Sequence, residues 1–235
     1  MIDSRRQLLI TGVAMLLCFI GFEYSSLDLW LQQQLFDSEQ QRWIWSSKEP
    51  ITRLLLYDGA KRLVILFALG LLLSLAFCRR SSLLGSHCRG IRVVLFSLIL
   101  VPACVSALKA STNVACPRSL EAFDGSLPYV KVLQPYPQAQ RPESRQRCFP
   151  AGHASGGFAL MSLIFLFREQ RRQWLGLSLG LAAGWTGGLY KMAIGDHFLS
   201  HTLMSMLIAW FLINLIRLLE RRLFPGPDTW PGDPP

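Results

Sequence analysis

Six stretches of this chain are long and apolar enough to cross a bilayer: residues 8–24, 63–78, 93–108, 152–167, 174–194 and 198–216. Apolar residues gathered in blocks of that length exclude an ordinary soluble core, because a helix apolar on every side needs lipid or protein around it. The composition, 51% hydrophobic and 17% charged, fits the same reading. Arg5 and Arg6 ahead of the first block also suit a cleaved export signal. No small-x-small cleavage site follows before Glu23 and Tyr24, so the block reads as a retained helix.

The net charge of +9 raises the question of nucleic acid, and the placement of the charge answers it. Arginines gather at Arg5 and Arg6, at Arg79, Arg80, Arg89 and Arg92, at Arg168, Arg171 and Arg172, and at Arg217, Arg221 and Arg222. With six spans, all four clusters fall on one side. This is the positive-inside pattern, which puts both termini in the cytoplasm and leaves no reason to invoke nucleic acid. The expected fold is an all-α, six-transmembrane helix bundle over residues 1–223. Its tail, 224–235, is rich in proline and glycine and is expected to be disordered.

Three segments then lie outside: 25–62, 109–151 and the tight turn 195–197. The first carries Trp30, Trp43 and Trp45, residues suited to the lipid interface, and an expected interfacial helix at 27–36. The second is a proline-rich polar loop. Cysteines divide by the same topology. Cys18 and Cys104 lie in spans and Cys78 and Cys88 at or near the reducing side. Cys116 and Cys148 share the outer loop, where a disulfide can persist.

The outer ends of the last four spans hold most of the remaining chemistry. Lys109 ends the third, and Arg118 follows it. Arg145, Arg147 and then Gly152 and His153 lead into the fourth. Lys191 closes the fifth, and His197 opens the sixth. Ionisable groups at membrane depth are costly and point to function. A helix start and several cations suit an anion, phosphate above all. Histidine adds a nucleophile or proton donor that works near neutral pH. Arg145 and Arg147 read as solvated loop charges.

Three motifs, taken in order, resemble those of the type 2 phosphatidic acid phosphatase superfamily. They are "KASTNVACP" (109–117), "FPAGH" (149–153) and "KMAIGDHFLSH" (191–201), set against K-x6-R-P, P-S-G-H and S-R-x5-H-x3-D. Lys109 and Pro117 match the first, whose arginine falls on Cys116, with Arg118 one residue past the proline. Pro150, Gly152 and His153 match the second, with Ala151 for serine. In the third His197 matches the nucleophile. Tyr190 and Lys191 replace serine and arginine, and His201 replaces the aspartate. Asp196, Asp124 and Glu143 are the alternative sources of the missing carboxylate.

The resemblance implies an integral membrane lipid phosphatase with a phosphohistidine intermediate. His197 is the implied nucleophile and His153 the proton donor. Lys109, Lys191, Arg118 and the Gly152 backbone hold the phosphate, and His201 sits one turn beyond the nucleophile. Candidate substrates are undecaprenyl diphosphate, phosphatidylglycerol phosphate, phosphatidic acid and lipid A phosphates. The expected setting is a bacterial inner membrane with the site facing the periplasm. Two alternatives share the same residues: a lipid phosphotransferase, and a non-catalytic lipid-phosphate binder. No metal, other cofactor or obligate protein partner is expected. A zinc site built on His153, His197 and His201 lacks an evident acidic or thiolate fourth ligand.

Overall fold

The computed structural model describes residues 3–78 and 87–225, and every structural statement below concerns these residues. The described residues are mostly helical. Helix α1 spans Ser4–Glu23, with the Asp3 carboxylate accepting from the Arg5 amide at 3.0 Å as its cap. Short helices α2 (Leu27–Gln33) and α3 (Pro50–Arg53) flank a two-residue hairpin pairing Phe36 with Trp43 and Asp37 with Arg42. A π-helical stretch, Leu54–Gly59, runs into α4 (Ala60–Phe77). Helix α5 (Cys88–Ser111) precedes the long loop. Helix α6 (Gly152–Ala159) continues as a tighter 3₁₀ stretch, Leu160–Phe165. Helices α7 (Gln170–Ala193) and α8 (Leu199–Leu223) complete the bundle.

Four of these helices, α1, α4, α5 and α8, are long and apolar enough to cross a membrane. Helices α1 and α4 present leucines outward, Leu9 at 75% exposure and Leu63 at 68% among them, as lipid-facing helices do. The segment read as a fourth span is shorter, Gly152–Phe165. Its 3₁₀ half rises about 2.0 Å per residue rather than 1.5, giving a length of roughly 24 Å. Helix α7 has the length of a span, but glycines and the polar start "QRRQ" dilute its apolar character.

The core lies among α5, α6 and α8, where Val93, Val94, Val101, Ala154, Phe158, Met161 and Ile213 are buried together. Helix α7 approaches α6 through glycines spaced four apart. A Cβ on Gly180 would lie 2.1 Å from the Met161 amide nitrogen. One on Gly184 would lie 2.1 Å from the Phe158 ring, and one on Gly176 2.8 Å from the Leu163 carbonyl carbon. Gly157 meets the Gly184 backbone from the other side, a Cβ there lying 2.6 Å from the Gly184 nitrogen. Glycine is needed here for backbone contact between helices.

At the arginine-bearing end, Glu220 is buried and receives Arg92 at 2.6 Å and Arg89 at 3.7 Å. Arg89 also donates to the Phe224 carbonyl, so the start of the segment expected to be disordered is held against the bundle; residues 226–235 lie outside the described residues. Cys78 and Cys88 form a disulfide at this end, although residues near a reducing compartment were expected to stay as thiols. The second disulfide, Cys116–Cys148, lies beyond the opposite end of α5.

Candidate active site

Four chain segments meet beyond the ends of α5, α6, α7 and α8. Lys109 lies in the last turn of α5, inside the helix rather than in the loop, and its side chain passes Gly152 at the start of α6. His153 follows, exposed at the mouth of the site, with its ring centroid 6.4 Å from that of His197. His197 is 2% exposed and His201 also 2%. The two rings face each other through their Nδ1 atoms, 3.4 Å apart. Lys191, at the end of α7, is nearly buried.

The turn between α7 and α8 is tightly held. Gly195 has φ +75°, a conformation that favours glycine, and a Cβ there would strike the Trp43 ring at 2.2 Å. Trp43 lies over this turn, in a cluster with Phe36 and Phe123. The amides of Asp196 and His197 both donate to the Lys191 carbonyl, at 2.8 and 3.2 Å, and the Arg118 amide donates to the Gly195 carbonyl. The Asp196 carboxylate takes the Lys191 ammonium at 2.7 Å on one oxygen. The Arg118 guanidinium lies 2.8 Å from the other as an ion pair.

Arg118 therefore reaches the rim of the site, with its side chain 54% exposed. Arg145, Arg147, Asp124 and Glu143 are exposed. Of the three alternative carboxylates only Asp196 enters the cluster, and it engages cations. Among the described residues neither His197 nor His201 hydrogen-bonds a carboxylate. Burial, followed by the fields of His201, Lys109, His153 and Lys191, holds the His197 imidazole well below its ordinary pKa. His197 is thus neutral at neutral pH.

Cys116 stands where the family pattern has arginine, and its sulfur bonds Cys148. Cys148 is fully buried, with Sγ 3.4 Å from His197 Nδ1 and 2.8 Å from the Asp196 carbonyl. The backbone on either side is tied down too. The Cys148 amide donates to the Val114 carbonyl, the Ala151 amide to the His201 carbonyl, and the Thr112 hydroxyl to the Phe149 carbonyl at 2.5 Å.

Helix α2 adds residues for which no local pattern offers a reason. Asp28 is 5% exposed and accepts from the Ser200 amide at 3.0 Å and from the Ser200 hydroxyl, which caps the first turn of α8. Gln32 donates to the Met192 carbonyl at 2.9 Å, at the end of α7. One short helix thus clasps both sides of the His197 turn. Burial raises the Asp28 carboxyl to about 6, while its bonds to Ser200 pull the other way. Asp28→Ala strips a cap and leaves a buried donor unpaired. It is expected to cost about 1–2 kcal/mol in thermal or denaturant unfolding, with a larger relative loss of activity than of helix content.

The PAP2 superfamily model matches residues 90–224, more than half of the chain, including all three motifs. The chain belongs to the PAP2 superfamily. No curated protein and no solved structure matches it. Membership suggests phosphatase action on lipid phosphates, and in this PAP2 chain His153, His197 and three cations share one end of an apolar bundle. The matched region begins in α5 and leaves out α1 to α4, so the α2 clasp and Trp43 lie outside it.

Proposed function

We propose that this PAP2 protein hydrolyses a lipid phosphate or diphosphate at the outer leaflet through a phosphohistidine on His197. The observation that carries the reading is the buried His197 whose Nδ1 is engaged by His201 while its ring faces His153 at 6.4 Å. That arrangement leaves Nε2 for the phosphorus. In the productive tautomer the His197 proton sits on Nδ1 and is donated to His201 Nδ1, which keeps the lone pair on Nε2.

Attack by Nε2 forms the N–P bond as the bond from phosphorus to the leaving oxygen breaks, and His153 delivers a proton to that oxygen. Water, deprotonated by His153, then splits the N–P bond and releases phosphate. Lys109, Lys191 and Arg118 surround the developing equatorial charge. The start of α6, which has no side-chain cap, offers the Gly152 and His153 amides. Asp196 holds Lys191 and Arg118 in place and shares them with an arriving phosphate. The mechanism assigns no step to a metal. A panel of the four candidate lipids, read as free phosphate against phosphate transferred to a second lipid, tests the reading and separates hydrolysis from transfer.

The same proposal holds that six segments cross the membrane, with the arginine-rich end in the cytoplasm of a bacterial inner membrane and the site in the periplasm. An impermeant maleimide added to intact spheroplasts is expected to label Arg145→Cys and not Arg171→Cys, two exposed positions at opposite ends of the bundle. The opposite pattern would reverse the orientation.

A further inference from the structure

We propose that the Cys116–Cys148 disulfide masks a zinc site built on the nucleophile, and that opening it lets zinc bind Cys148, His197 and His201. The ligand atoms of these three residues lie within 4.8 Å of one another. His197 Nδ1 is 3.4 Å from His201 Nδ1 and 3.4 Å from Cys148 Sγ. Tetrahedral zinc, with bonds of ~2.0–2.1 Å to nitrogen and ~2.3 Å to sulfur, sets its ligands about 3.4 Å apart for N···N and about 3.6 Å for N···S. Two edges of a tetrahedral face are therefore already in place, on side chains buried enough to be held there. Thiolate and imidazole are the donors zinc prefers, and the fourth position is left to water. A zinc site on His153, His197 and His201 was not expected, for want of an acidic or thiolate ligand; Cys148 supplies a thiolate and replaces His153.

In the oxidised protein the site is closed, because a disulfide sulfur is a poor metal ligand. Cys116 is the accessible partner, half-buried beside the fully buried Cys148. A dithiol reductant attacking Cys116 Sγ passes two electrons to the bridge. It leaves as a disulfide, and Cys116 and Cys148 each gain a proton. Zinc then displaces the Cys148 proton to solvent and takes the Nδ1 lone pairs of both histidines. The His197 proton must move from Nδ1 to Nε2, the nitrogen that would attack phosphorus. Metal binding would thus silence the nucleophile without touching the phosphate pocket. The metal site stands on geometry alone; only its effect on turnover rests on the proposed phosphatase reading.

The test uses the full-length protein in detergent, with cobalt and zinc as probes. Cys116→Ser frees the Cys148 thiol without a reductant. Wild type opened with a phosphine, which takes up the oxygen of water as the disulfide gains two hydrogens, is the second route should the variant fold poorly. Both are expected to show a thiolate-to-cobalt absorption band and to bind about one zinc per chain. Oxidised wild type and the Cys116→Ser/Cys148→Ser double variant should show neither. Zinc should lower phosphate release by the opened proteins about tenfold or more relative to each protein's own zinc-free rate, reversibly with a chelator. No cobalt–thiolate band in either opened protein, or an equal metal content in the double variant, overturns the proposal. A band without any phosphatase activity to inhibit would leave the metal site standing and count against the phosphatase reading instead.

Discussion

His197→Ala is expected to lower phosphate release from a lipid phosphate by about 10³-fold or more and to abolish trapping of a phosphorylated enzyme. Removing a nucleophile deletes the reaction path, whereas removing a proton donor only slows it. His153→Ala should cost about 10²–10⁴-fold with an alkyl phosphate, and far less with an aryl phosphate whose leaving oxygen needs no proton. The two variants therefore separate by substrate and not only by rate. If His197→Ala releases phosphate at the wild-type rate, the nucleophile assignment fails.

The pH dependence follows from the same burial. With the His197 pKa pushed down, its neutral, nucleophilic form persists to lower pH than an ordinary imidazole would allow. The acid limb of kcat/KM should therefore fall below the usual histidine range. The stability consequence has a fixed sign. The unfolded chain binds the His197 proton more readily than the folded one, so the contribution is present above about pH 6.5 and is lost as pH falls through the folded value. His197→Gln should flatten that acid slope in an unfolding series.

What the sequence disclosed and what it concealed divide by range of contact. The histidines were legible because each lies in a short motif at a helix start: Gly152–His153 opens α6, and His197 and His201 flank the start of α8 one turn apart. Arg118 was legible only as a residue one place off its pattern, and its ion pair to Asp196 depends on the turn at Gly195. Asp28, Gln32 and Trp43 were illegible. Asp28 meets Ser200 across 172 positions and Gln32 meets Met192 across 160, and no periodicity within residues 25–45 announces either contact. Tryptophans on an outer segment satisfy an interfacial reading equally well, so Trp43 gave no sign that it covers Gly195. The Cys78–Cys88 bridge was concealed for another reason: topology argued for the reducing side. The glycines of α7 were plainly written, at 176, 180, 184 and 188, but hydropathy averages them away.

That glycine row supports the second large prediction, because it sets the distance between the elements that carry His153 and Lys191. Gly180→Ala would drive a methyl to within 2.1 Å of the Met161 nitrogen and 2.5 Å of the Leu160 carbonyl carbon. Both are backbone atoms, which cannot rotate aside as a side chain can. The helices must separate, with an expected loss of about 2–3 kcal/mol or more and a lower thermal midpoint in detergent. Gly187→Ala is the control on the same helix, since nothing lies within 4 Å of its added Cβ. Higher helix propensity should make it neutral to stabilising by up to about 1 kcal/mol. Separation of α6 from α7 also moves His153 away from Lys191, so activity in Gly180→Ala should fall at temperatures where the protein is still folded. Equal stability of the two variants would mean that the backbone contact at Met161 does not hold these helices together.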